Sequence, residues 1–167
     1  KKALDWIVNE RPHIYADLFT ALPSDAWLMQ AIEEWCKDKD FQKQNYINFV
    51  FTDAATMVEK TYKHDDSPYN YGDHYFPDGA RSEGLVAAYY LAKDLNMDKL
   101  AEKLLKACKN AAMCQFHLFN DEINNYSHKN PLKSENSIRF KATRQWVRVD
   151  SIQHVSCFFA RLYKAEK

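Results

Sequence analysis

Two short clusters carry residue types that could do chemistry. They are Asp78-Gly79-Ala80-Arg81-Ser82-Glu83-Gly84 and Arg144-Gln145-Trp146-Val147-Arg148-Val149-Asp150. Each sets guanidinium groups beside carboxylates and then runs into an apolar, aromatic-rich stretch. The second echoes the first: with Arg81 placed on Arg148, Glu83 falls on Asp150 and Leu85 on Ile152, about 67 residues later. Carboxylates and arginines around one cleft supply proton donors and acceptors together with groups that grip hydroxyls or anions. Charges are costly to bury unpaired, so a chain that puts them twice at the start of an apolar helix is pinning a fold or building a site.

Read as a site, the acid/base candidates are Asp78, Glu83 and Asp150. Arg81, Arg148 and His154 are the groups that would bind substrate hydroxyls or carboxylates, joined by Asp73, His74 and Tyr75 from the preceding loop and by Trp146. Aromatic rings beside such a cluster, among them Tyr69, Tyr71, Phe76 and Trp146, suit stacking on sugar faces. The combination points to a carbohydrate or another polyol-like small molecule. A purely structural account runs beside it. Acids in the first turn of a helix favour its dipole by about 0.3–1 kcal/mol, and the arginines would then only neutralise them. His154 follows Asp150 at i+4, in reach of a local hydrogen bond.

The elements that must position these residues are helices. Only 3 Gly and 5 Pro are present, too few turn residues for many short strands. Apolar spacing predicts helices over about residues 2–10, 26–37, 41–62, 82–96, 99–119 and 150–165. The fourth is apolar around most of its circumference and is expected in the interior. The fifth carries Lys99, Glu102, Lys103, Lys106 and Lys109 on one side and is expected outside. The last is expected to be mostly buried. Residues 64–79 are rich in turn formers, acids, histidines and aromatics, and read as a long loop that binds or covers something. Residues 137–149 alternate enough for a short strand or an extended lip. More apolar and more amphipathic helices alternate, so the expectation is a single helical domain over residues 1–167, built of hairpins with an inner and an outer layer.

Several classes of function are disfavoured. Lys+Arg and Asp+Glu both number 23, so no broad field would draw nucleic acid or an anionic membrane. No apolar run approaches the roughly 20 residues of a membrane span, and no signal region opens the chain. The start, Lys1-Lys2-Ala3, lacks a methionine and says nothing about compartment. Cys36, Cys108, Cys114 and Cys157 sit among apolar neighbours and read as buried free thiols. No metal or cofactor is expected: Cys114 and His117 share a face but lack further ligands, and a metal hydrolase using His64, Asp73 and His74 would need ligands from an irregular loop. Asn125-Tyr126-Ser127 matches a glycosylation sequon.

In the segments 78–91 and 148–159 the chain resembles the (α/α)-toroid enzymes that act on carbohydrates, the group of six-hairpin glycosidases, polysaccharide lyases and sugar epimerases. The resemblance implies a central cleft at the N-termini of the inner helices, with acid/base residues on the loops before them. Complete toroids hold more helices than this chain. It would therefore be a partial (α/α) toroid: a fragment of a longer one, or a module completed by missing sequence or by an oligomer partner. The rival expectation is a non-catalytic helical interaction module, in which the Arg/acid pairs only lock helices together.

Overall fold

A computed structural model describes residues 2–10, 13, 25–63, 78–141 and 144–167. The described chain is mostly helical. Its helices are α1 (Lys2–Asn9), α2 (Ala26–Trp35), α3 (Gln44–Lys63), α4 (Gly79–Asp94), α5 (Asp98–Phe116), the single-turn α6 (Pro131–Ser134) and α7 (Val149–Ala165). A 3-10 turn at Lys39–Phe41 joins α2 to α3, and a small antiparallel hairpin, β1 (Arg139–Lys141) and β2 (Arg144–Val147), leads into α7. The boundaries expected from periodicity lie within a few residues of these, and the extended lip before the last helix is the hairpin.

Local signals explain where the helices begin and end. Asp25 caps α2, its carboxylate accepting from the Leu28 N–H at 3.0 Å, and Asp78 caps α4 by accepting from the Arg81 N–H at 2.8 Å. At the other end of α4, Asn96 takes a left-handed conformation (φ 56°). The Met97 N–H then reaches the Ala92 carbonyl at 2.9 Å, and the Asn96 N–H reaches Lys93 at 3.0 Å. That is a Schellman close, and it folds α5 back along α4 within a few residues.

Helix α4 is the centre of the molecule, packed against α2, α3, α5 and α7. Leu85, Val86, Ala87, Ala88, Leu91 and Ala92 have no solvent exposure, as an all-round apolar helix requires. Helix α5 buries Ala101, Leu104, Ala107, Cys108 and Ala111 and leaves its lysines outside. In α3, Tyr46, Val50, Ala54 and Met57 form one buried stripe. Helix α1 is tied to the start of α3, where Asp5 accepts from the Tyr46 hydroxyl and from Lys43 Nζ at 3.1 Å.

One expectation needs correcting. Helix α7 is amphipathic rather than mostly buried, because only the stripe of Val155, Phe158 and Leu162 is buried. Cys157 is accordingly exposed and Cys114 partly so, whereas Cys36 and Cys108 are buried; all four are free thiols.

Side-chain contacts fix the directions of the helices. Trp27 of α2, Glu83 of α4 and His154 of α7 meet at one level. About two turns further along each helix, Glu33, Tyr90 and Arg161 meet at a second level. Helices α2, α4 and α7 therefore run parallel, and α3 and α5 return between them. Two glycines permit the close approach. A Cβ on Gly79 would lie 2.8 Å from the backbone nitrogen of Val155, and one on Gly84 would lie 2.8 Å from the Cα of Ala26.

Candidate functional site

Glu83 lies in the second turn of α4, between the two glycines that bring α7 and α2 close. Its side chain is 5% exposed. At that depth a carboxylate requires a partner, and it has one in His154 of α7, with Nδ1 2.7 Å from Glu83 Oε2. The imidazole is 16% exposed and stands against the ring of Trp27, with centroids 5.8 Å apart and planes tilted by 53°. Trp27 itself is 64% exposed, so one aromatic face lies open beside the pair. His154 Nε2 carries no hydrogen bond among the described residues, and it is not sealed from solvent.

Next to Glu83 in sequence, Ser82 is held by a buried neutral side chain. Gln115, near the end of α5, donates from Nε2 to the Ser82 hydroxyl at 2.7 Å and to the Asp78 carbonyl at 3.4 Å. This ties the C-terminal end of α5 to the first turn of α4. Arg139 of β1 is buried and donates to the carbonyl of His117 at 2.6 Å, placing a cation at the end of α5, where the helix dipole is negative.

The other expected residues sort into local pairs. Asp78 caps α4 and its carboxylate also binds the Arg81 guanidinium, three residues along the same helix. Arg148 pairs with Asp150 at the start of α7, where both side chains are 48% exposed. Trp146 is exposed on β2, next to that pair in sequence. The structure thus joins Glu83 to His154 across two helices, whereas Asp78 with Arg81 and Asp150 with Arg148 each meet within one helix start. His154 bonds to Glu83 rather than to Asp150. Asp73, His74 and Tyr75, and with them Tyr69, Tyr71 and Phe76, lie outside the described residues, as does the rest of the loop 64–77.

Sequence reasoning missed three residues of this region. Trp27 belongs with Glu83 and His154. Glu33 and Arg161 form the second level, with Arg161 Nη2 2.6 Å from Glu33 Oε2 and its guanidinium 5.0 Å from the centre of the Tyr90 ring. A buried acid amid the apolar positions of α2 was the available signal for Glu33. Among the described residues no group of three His, Cys, Asp or Glu side chains could hold a metal ion, and no helix is long and apolar enough to cross a membrane. Asn125 of the sequon is buried, and its amide donates to the Pro131 carbonyl at 3.2 Å.

No family model, no curated protein and no solved structure matches this chain.

Proposed function

We propose that this chain is a carbohydrate-active enzyme domain of the glycoside hydrolase, lyase or epimerase type, working at the N-terminal mouth of its three parallel helices. The observation that carries the reading is the Glu83–His154 pair at 2.7 Å beside the open ring of Trp27. A proton-handling pair next to an exposed aromatic face suits a sugar, whose C–H face stacks on the ring while its hydroxyls turn to the polar groups. Asp150, with its carboxylate half exposed beside Arg148, is the second acid/base candidate, and Asp78 is the third. Arg81, Arg148, Trp146, Asp73, His74 and Tyr75 are the proposed substrate contacts. Parallel helices α2, α4 and α7, with α3 and α5 returning between them, suit the inner and outer layers of a partial (α/α) toroid, completed by further sequence or by another copy.

A second reading has its own support. Asp78–Arg81 and Arg148–Asp150 each form a local ion pair at a helix start, which suits a non-catalytic interaction module with structural pairs. Turnover separates the two. The chain is incubated with a panel of neutral and acidic polysaccharides, new reducing or unsaturated ends are assayed, and Glu83→Gln and Asp150→Asn are run beside it with their melting temperatures. The enzyme reading expects turnover that falls by about 10²–10⁴-fold in the variants, with folding retained. No turnover and no glycan binding by the parent chain would sink it.

A further inference from the structure

We infer that the proton-accepting atom of this site is Nε2 of His154, and that Glu83 is its positioning residue rather than the group that meets substrate. The inference rests on the enzymatic reading above but reassigns its chemistry. Glu83 is 5% exposed and its Oε2 is occupied by His154 Nδ1. With one oxygen held by the ring and the side chain 5% exposed against 16% for the imidazole, the carboxylate is the less accessible partner of the pair. An ionised carboxylate is acceptor-only, so the proton between them belongs to Nδ1. A neutral imidazole carries one ring proton; with it on Nδ1, Nε2 presents a lone pair.

The surroundings of the ring fit this division. Val155, the next residue, lies against Gly79, and the Cβ of His154 stands 3.0 Å from where a Gly79 Cβ would be, so the base of the imidazole is held by the first turn of α4. Trp27 limits the ring on the side of α2. Glu83 supplies the one hydrogen bond the ring makes among the described residues. A buried acid fixing the tautomer and orientation of a histidine, with the other nitrogen left for chemistry, is the division of labour that makes imidazole an efficient base near neutral pH.

The step is a proton transfer. The O–H bond of a water or a substrate hydroxyl breaks, its electron pair stays on oxygen, and an N–H bond forms at Nε2. The imidazolium so formed is held against the Glu83 carboxylate. In a hydrolysis the deprotonated water oxygen bonds to the carbon as that carbon's bond to the leaving oxygen breaks, the proton passes from Nε2 to the leaving oxygen, which keeps the electron pair, and His154 returns to its starting state.

The test does not depend on knowing the substrate. The full chain is labelled with ¹⁵N-histidine and its imidazole nitrogens are read by long-range ¹H–¹⁵N correlation at about pH 8, where an ordinary histidine is neutral, with His154→Gln assigning the signals. We expect His154 in the Nδ1–H form, less common for a free histidine. Diethylpyrocarbonate should acylate its Nε2, and Glu83→Gln should slow that reaction several-fold while leaving the helical circular dichroism intact. A proton on Nε2, or a His154 that the reagent does not reach, overturns the inference. So does a folded Glu83→Gln chain that reacts at the parent rate. If Glu83→Gln does not fold, the tautomer in the parent chain decides alone. If no glycan is turned over yet the tautomer and reactivity are as stated, the carbohydrate reading fails and the Glu83–His154 assignment stands.

Discussion

Gly79 of α4 and Val155 of α7 touch backbone to backbone: a methyl group on the glycine would lie 2.8 Å from both the nitrogen and Cγ2 of the valine. This contact sets the distance between the helices that carry Glu83 and His154, so the site depends on an absent side chain. Gly79→Ala is expected to push α7 away, costing about 1–3 kcal/mol as overpacking does and lengthening the Glu83–His154 contact. Gly84→Ala, which would meet the Cα of Ala26 at 2.8 Å, should cost a similar amount on the α2 side. Urea unfolding measures both. A change of less than a few tenths of a kcal/mol in either would mean that the helices part without resistance.

The second level predicts an asymmetry between two arginines. Arg161 makes the short bond to Glu33, which is 5% exposed and whose other cation, Lys37, stands 4.0 Å away and half exposed, so Arg161→Met should destabilise by about 2–3 kcal/mol, the cost of leaving a buried charge poorly paired. Arg148→Met removes the partner of the half-exposed Asp150 and should cost at most about 1 kcal/mol, as surface pairs do. Denaturant midpoints at equal slope compare them; equal losses would show that burial of Glu33 is not what makes the first pair matter.

Asp78 separates capping from chemistry. Asp78→Ala should lose about 1 kcal/mol with the cap, and Asp78→Asn, which keeps an oxygen for the Arg81 N–H, should retain most of it. A fall in turnover in Asp78→Asn without a fall in melting temperature would give the carboxylate a chemical role; unchanged turnover would leave it a cap.

The cysteines and Tyr46 give a pH dependence with a definite sign. Burial raises the Cys36 and Cys108 thiols, and burial followed by the hydrogen bond with Asp5 raises the Tyr46 hydroxyl. The native chain therefore keeps protons that the unfolded chain releases above about pH 8.5 for thiols and about pH 10 for tyrosine. Their neutral forms cost the fold nothing at pH 7, and stability should decline as pH rises through these values. A thiol reagent at neutral pH should label Cys157 first and Cys114 more slowly, with Cys36 and Cys108 reached only on unfolding. Stability that rises between pH 8 and pH 10 would contradict the assignment.

The sequon at Asn125 is expected to stay unmodified. Its amide is buried and used within the loop, so expression in a eukaryotic secretory host should add no glycan mass to the peptide that contains it.

From sequence alone, the helices and their character could be read. The apolar spacing of Tyr46, Val50 and Ala54, the apolar girth of α4 and the wet lysines of α5 are periodic signals that local geometry turns into burial. Caps act within three residues, so their signal is local too, although Asp78 read as an acid/base group before a helix starting at residue 82 and is the cap of one that starts at Gly79. The echo of Arg81 in Arg148 was real as local chemistry, for each arginine does pair with a nearby acid. It placed the partners one turn out of register: the contacts that join α4 to α7, Glu83 with His154 and Tyr90 with Arg161, span 71 residues each. That register follows from how closely Gly79 lets α7 approach and from which stripe of α7 faces inward. Neither is a property of any short segment. Trp27 and Glu33 joined the two levels for the same reason, since a parallel helix brought beside α4 by Gly84 contributes side chains that lie far away in the chain. Composition and periodicity determined the elements; packing at two glycines decided which charged groups meet.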